Sequence, residues 1–211
     1  MYQPQFFRED RLNVQQDLIR AHPLGTLVTY GPDGLTANPL PFLLDAAVGE
    51  KGILKAHLAR ANPQWRTFNP AVEVLVIFQG PESYISPSWY PSKQETGKVV
   101  PTWNYATVHV YGTLRVIDDE AWLAEQVAAL THGQESKREN PWSVEDAPPD
   151  FIAAMLNAII GIEIDILRIE GKWKISQNKS ETDRFGIIDG LSTSNDADAQ
   201  RLSAIMASQK L

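Results

Sequence analysis

Apolar and polar positions alternate most regularly between residues 106 and 117. Val108, Val110, Leu114 and Val116 fall on one face; Thr107, His109, Tyr111, Thr113 and Arg115 fall on the other. A period of two places successive side chains on opposite sides of a strand. One apolar face and one polar face predict an antiparallel strand with a single side on a core. The same reading gives strands at residues 25–30, 53–59, 72–78, 83–86, 162–170 and 173–177, with Gly171 turning the chain between the last two. Pro39 and Pro41 lie in an extended run, residues 35–44, and confine it to an edge or a bulge, because proline cannot donate to a ladder. Helical spacing appears at residues 10–21, from Pro63, at 119–132 with Gly133 as a stop, at 150–160, after Ser180-Glu181-Thr182-Asp183, and from Asp196, where Leu202, Ile205 and Met206 form an apolar stripe. Strands and helices do not alternate strictly, which argues against a doubly wound parallel sheet. The pattern predicts a mainly β (α+β) fold: an antiparallel barrel with peripheral helices. A single domain over residues 1–211 is expected, with 192–211 as a C-terminal helical appendage.

Composition narrows the function. The chain has no cysteine, so disulfides, thiolate metal sites and cysteine nucleophiles are excluded. No apolar run is long enough to span a bilayer, and the first residues lack a basic segment followed by an apolar one, so a cytoplasmic protein is expected. The formal net charge of −7 argues against a broad phosphate-binding surface for DNA. Residues 171–179 are locally basic, with Lys172, Lys174 and Lys179.

Three stretches carry candidate chemistry. In His57-Leu58-Ala59-Arg60-Ala61-Asn62-Pro63-Gln64-Trp65 a strand ends in an arginine and runs into a helix start. Asn62 suits the N-cap and Pro63 the first helical position. Free N–H groups there, beside the planar donor fork of Arg60, make a phosphate cradle. The same residues also describe an ordinary capped junction with a surface arginine. Further on, Trp65, Tyr84, Trp89, Tyr90, Trp103, Tyr105 and Tyr111 interleave with Ser86, Ser88, Thr102, Asn104, Thr107 and His109. Flat surfaces beside hydrogen-bonding groups suit a planar, polar-edged ligand, an aromatic core or a dimer interface. Finally, Lys172, Lys174 and Ser176 share one face of a late strand, either completing an anionic site or guarding a sheet edge. The four histidines lack metal-ligand spacing, and the Walker A, Gly-x-Gly-x-x-Gly and Gly-x-Ser-x-Gly motifs are all absent.

Taken together, HLARANPQW, GPESYISPSWY, VPTWNYATVHVYG and KWKISQNKSETDR resemble the PaiB-type proteins, the FMN-binding negative transcriptional regulators of the FMN-binding split-barrel superfamily. The likeness runs from residue 1 to about residue 191. It implies a split antiparallel β-barrel, FMN as cofactor, and a homodimer with two FMN sites at the interface, built from residues of both chains. By position, the resemblance places His57, Arg60 and Asn62 at the phosphate end, Trp103, Asn104 and Thr107 where the partner chain meets the flavin, and Lys174, Ser176 and Gln177 on the strand that closes the site. Lys174 or Gln177 would then donate to the N1–C2=O edge, where charge develops on reduction. The family's named role is regulation of sporulation and protease genes. With no helix-turn-helix and an acidic chain, that role is expected to be indirect rather than through DNA contact. The alternative is an FMN-dependent oxidoreductase or flavin reductase acting on a small molecule, with His109, Tyr105 and Tyr111 as candidate proton donors.

Overall fold

Eight strands form one open antiparallel sheet in the computed structural model, which describes residues 1–208. They are β1 (Arg8–Glu9), β2 (Leu24–Gly31), β3 (Gly34–Pro41), β4 (Leu43–Asp45), β5 (Ile53–Ala59), β6 (Val74–Ile85), β7 (Thr102–Ile117) and β8 (Ile159–Lys174). The order is β3-β2-β6-β7-β8-β5-β4, with β1 paired to β8. Around the sheet come α1 (Leu12–Ala21), α2 (Gln64–Thr67), α3 (Ser92–Thr96), α4 (Glu120–Glu135), α5 (Pro149–Asn157), α6 (Glu181–Ser192) and α7 (Ala197–Ser208). This is a sheet-dominated α+β protein with a split-barrel fold. The chain divides into two units: a first one of residues 1–15, 79–108 and from 170 onward, and a second one of residues 16–78 and 109–169. Strands β6, β7 and β8 contribute residues to both.

In the second unit a single residue, Phe42, separates β3 at one edge of the sheet from β4 at the other. Two edges joined so closely force the sheet to curl. Phe42 is buried inside the curl, edge-to-face with Phe78 at 5.7 Å. The prolines of β3 are tolerated there because β3 is an edge strand, paired only to β2, with Pro39 opposite Thr26 and Pro41 opposite Leu24. The apolar faces of β5 (Leu54, Ala56, Leu58), β6 (Val74, Val76, Phe78) and β8 (Ile160, Ile162, Ile164) are buried. Each such side chain removed from water contributes about 1.5–3 kcal/mol before entropy is counted. Helix α4 starts at the Asp119 cap, whose carboxylate accepts from Trp122 N at 2.8 Å. It packs so close to β8 that a Cβ on Gly161 would meet the Trp122 ring at 2.4 Å.

In the first unit, Ser180 caps α6 by accepting from Asp183 N at 3.2 Å. Gly186 and Gly190 open that helix to Trp89; a Cβ on Gly190 would lie 2.4 Å from the indole. Ile175, Ile187, Leu191 and Leu202 are buried here.

Several boundaries differ from the sequence reading; α5 stops at Asn157 and β8 begins at Ile159, within the stretch read as helix. β8 runs unbroken through Gly171, which faces Glu9 of β1 rather than turning the chain. A Cβ there would lie 2.8 Å from the Glu9 carbonyl oxygen, so this glycine permits close approach of a neighbouring backbone. Helix α4 passes through Gly133 and ends at Glu135, and β6 joins the two segments read as separate strands. The expected C-terminal appendage extends to residue 211; α7 covers most of it, and residues 209–211 lie outside the described residues. Among the described residues no helix is long and apolar enough to cross a membrane.

Candidate functional site

The first unit holds a cavity of about 250 Å³ lined by Thr102, Asn104, Lys174, Ser176, Asn178 and Lys179, with Phe7, Val100 and Pro101. Strand pairing and a backbone kink build it. Asn104 is completely buried on β7, and its amide nitrogen donates to Ser176 Oγ at 2.9 Å. Ser176 follows the end of β8 with φ at 63°, the one non-glycine residue with positive φ among the described residues. A left-handed serine costs roughly 1–2 kcal/mol. It persists because Asn104 holds its hydroxyl, which can also donate to Asn104 Oδ1 at 3.1 Å. Gln177 braces the same kink: its amide nitrogen donates to Trp173 O at 2.6 Å and its oxygen accepts from Ile175 N at 2.9 Å. Both ends of that side chain are therefore engaged with the backbone.

Lys174 is the chemical centre of this group. Its ammonium donates to Thr102 Oγ1 at 2.5 Å and to the Trp103 carbonyl. An ammonium has three donors, so one is left for a ligand. Burial, and then the nearby charges of Lys172 and Lys179, hold its pKa below the ordinary lysine value. The cavity lining includes no carboxylate. An anion or a polarised carbonyl placed here would relieve the strain on that charge. Trp103 itself is half exposed; its indole N–H donates to Glu82 at 3.0 Å and its ring meets Tyr84 edge-on at 6.1 Å. Thr107 is buried further along β7, and Tyr105 lies under the Lys172 ammonium at 5.5 Å.

The second unit holds His57, Arg60 and Asn62. Asn62 Oδ1 accepts from Gln64 N at 3.0 Å, but α2 starts at Gln64 with Pro63 as its N-cap, so Asn62 lies one residue before the cap position expected of it. The helix has only four residues, too short to carry an appreciable dipole. Arg60 Nε donates to Asn157 O at 3.0 Å, while Nη1 and Nη2 grip the Asp118 carboxylate at 3.0 and 2.7 Å. That hydrogen-bonded pairing raises the arginine pKa and lowers that of Asp118. The rest of the junction is knit internally: Trp65 Nε1 donates to Arg60 O at 3.0 Å, and Gln64, nearly fully buried, bonds Leu27 O, Thr29 Oγ1 and Asn38 Nδ2. His57 Nδ1 meets Gln126 Oε1 at 2.7 Å. Of the candidate proton donors in this unit, Tyr111 is covered by the Arg168 guanidinium at 3.5 Å, and His109 lies 6.4 Å from the Tyr111 ring.

The structure thus gathers Asn104, Lys174 and Ser176 around one cavity, sets Gln177 behind it as a brace, and leaves Arg60 paired in the other unit. The sequence reading set Thr102 among the polar residues beside the aromatics and Lys179 in the basic segment without assigning either to the site, and it missed Gln126 entirely. Lys179 was visible as a local charge. Gln126 gave no signal, since a glutamine on a helix reads as solvent-facing.

A curled antiparallel sheet with a half-buried cation and a polar cavity at the end of its longest strands defines a protein of the split-barrel class. Residues 1–168 match the family model described as "Putative FMN-binding domain". The chain is 32% identical over 206 residues to the Protease synthase and sporulation protein PAI 2 of Bacillus subtilis, covering 98% of this chain and 96% of that protein. It is 36% identical over 225 residues to an uncharacterized protein of Emericella nidulans, covering 90% of each. Among solved structures, the flavocytochrome Anf3 of Azotobacter vinelandii shares the fold, with a TM-score of 0.56 at 13% identity over 82% of this chain and 72% of that one. The chain belongs to the PaiB-like family of FMN-binding split-barrel proteins, and FMN is its cofactor.

Proposed function

We propose that FMN lies with its N1–C2=O edge against Lys174 and that the protein works as a homodimer. The observation that carries this reading is the Lys174 ammonium: partly buried, with one donor left over and no carboxylate in the cavity it lines. The residues present fit the cofactor's needs. Lys174 supplies a cation at the edge where negative charge grows on reduction, and the exposed Tyr84 and Trp103 supply flat apolar surface. When bound, FMN supplies electron transfer. Lys174 favours the reduced form, Asn104 and Ser176 hold the cavity open, and Gln177 fixes the strand end that carries them. In the proposed homodimer, with each FMN held by residues of both chains, His57, Arg60 and Asn62 are the phosphate contacts, and Arg60 is shared between Asp118 and the ligand. The half-exposed Tyr84 and Trp103 are also the residue types enriched where a second copy packs.

A regulatory role is proposed to run through the flavin's redox state. The net charge of −7 opposes broad DNA contact. The purified protein titrated with FMN should quench flavin fluorescence to a stoichiometry of one per chain and elute at twice its monomer mass. Failure to bind FMN would remove the flavin role. Anaerobic bleaching of the bound flavin by NADH or NADPH would instead favour the reductase reading.

A further inference from the structure

The second unit contains a larger opening that the flavin reading leaves unused. It is a half-open cleft of about 490 Å³ between β4, β5 and α4. Leu43, Leu44 and Trp122 give it apolar walls, and Ala46, Ala47 and Ala129 leave it wide where larger side chains would close it. Its walls are fixed. Trp122 is held by its indole bond to Glu163 at 2.9 Å, and Lys55 is held by Asp45 at 2.9 Å, an ion pair that keeps the Asp45 pKa below the ordinary carboxylate value.

Gln126 supplies the second, independent observation. It lines this cleft and is only 3% exposed. Its oxygen accepts from His57 Nδ1, and its amide nitrogen has no partner among the described residues. Turning the amide over would leave the oxygen unpaired in place of the nitrogen, so one polar atom goes unmet in either orientation. A buried amide group without a bond is destabilising, and a leucine of similar size would avoid that cost. A mostly apolar cleft with one unmet donor is the usual construction of a small-molecule site.

We propose that this cleft binds a small, flat, uncharged organic molecule whose carbonyl-type oxygen accepts from the Gln126 amide while its body rests against Trp122. The Lys55–Asp45 pair is internally neutral, and Glu125 on the rim adds a negative charge, so an anionic ligand is disfavoured. Occupancy also bears on His57, because the same amide sets which of its ring nitrogens carries the proton. The cleft lining includes none of the residues proposed to hold FMN, although Gln126 also bonds His57 of the proposed phosphate end.

The test is fluorine NMR of the FMN-loaded protein with 4-fluoroacetophenone as probe. 4-Fluorotoluene serves as the shape control without an acceptor, and 4-fluorobenzoate as the charged control. The ketone should show saturable broadening, with the other two at least about tenfold weaker. Q126L should erase the preference for the ketone over the toluene, and A129W, on the rim, should weaken both. No saturable binding, equal binding of ketone and toluene, or binding unchanged in A129W would each overturn the proposal. Flavin absorbance in the same samples reports FMN binding separately: ketone binding in protein that fails to hold FMN would sink the flavin reading alone, and the converse would sink this one alone.

Discussion

Each unit offers one cation where the sequence predicts an anion, and the two are treated in opposite ways. In the second unit Arg60 spends all three guanidinium nitrogens on Asp118 and the Asn157 carbonyl, at the surface. Nothing about that arrangement is unfinished; it staples the end of β5. In the first unit Lys174 sits partly buried with two neutral partners, two lysines nearby and no carboxylate in its cavity, beside a serine held in a left-handed conformation. That arrangement pays for itself only if something negative arrives. A paired charge at a motif is evidence of structure, whereas an unpaired and strained one is evidence of a ligand. The cradle motif is the more recognisable of the two in sequence, and the lysine cavity is the one that carries the proposed flavin edge.

The contrast is broken most decisively at Lys174. Lys174→Ala should weaken FMN binding by about 1.5–3 kcal/mol, roughly tenfold to a hundredfold, the usual worth of a hydrogen bond to a charged group; a flavin-fluorescence titration reads it. Asn104→Ala comes next. It leaves the Ser176 hydroxyl buried without its partner, and should lower unfolding stability by about 1–3 kcal/mol in a denaturant melt of the cofactor-free protein.

The pH dependence sharpens the same point with a definite sign. The Lys174 pKa is lowered in the folded state, so between that value and the ordinary lysine value of about 10.4 the unfolded chain holds the extra proton. Stability of the cofactor-free protein should therefore rise with pH across that window, through this residue, while FMN affinity falls as the cation is lost. Lys174→Gln should flatten both trends. The smallest effect is expected in the second unit. Arg60→Ala should weaken FMN binding less than Lys174→Ala does, and Asp118→Asn, which frees the guanidinium, should tighten it. A loss at Arg60 equal to that at Lys174 would reverse the ranking of the two regions.

Much of the fold was legible because period-two alternation survives wherever one face is buried. β5 was read to its last residue, and β7 alternates as expected apart from Thr107, which is buried against the pattern. Glycines misled wherever their reason was non-local. Gly171 resembles a turn until β1, more than 160 residues earlier in the chain, is seen passing 2.8 Å from where its Cβ would be. The site was half legible for the same reason. Asn104, Lys174 and Ser176 stood out by type and spacing, but Gln126 became visible only when α4 brought it to His57, 69 residues away in sequence.

The most direct test of the central claim is the midpoint potential of bound FMN in the wild-type protein and in Lys174→Gln. A cation at the N1–C2=O edge stabilises the reduced flavin, so its removal should make the potential more negative by roughly 30–60 mV, the two-electron equivalent of one charge-assisted hydrogen bond. A potential unchanged in Lys174→Gln, with FMN still bound, would contradict the placement of the flavin edge at this lysine.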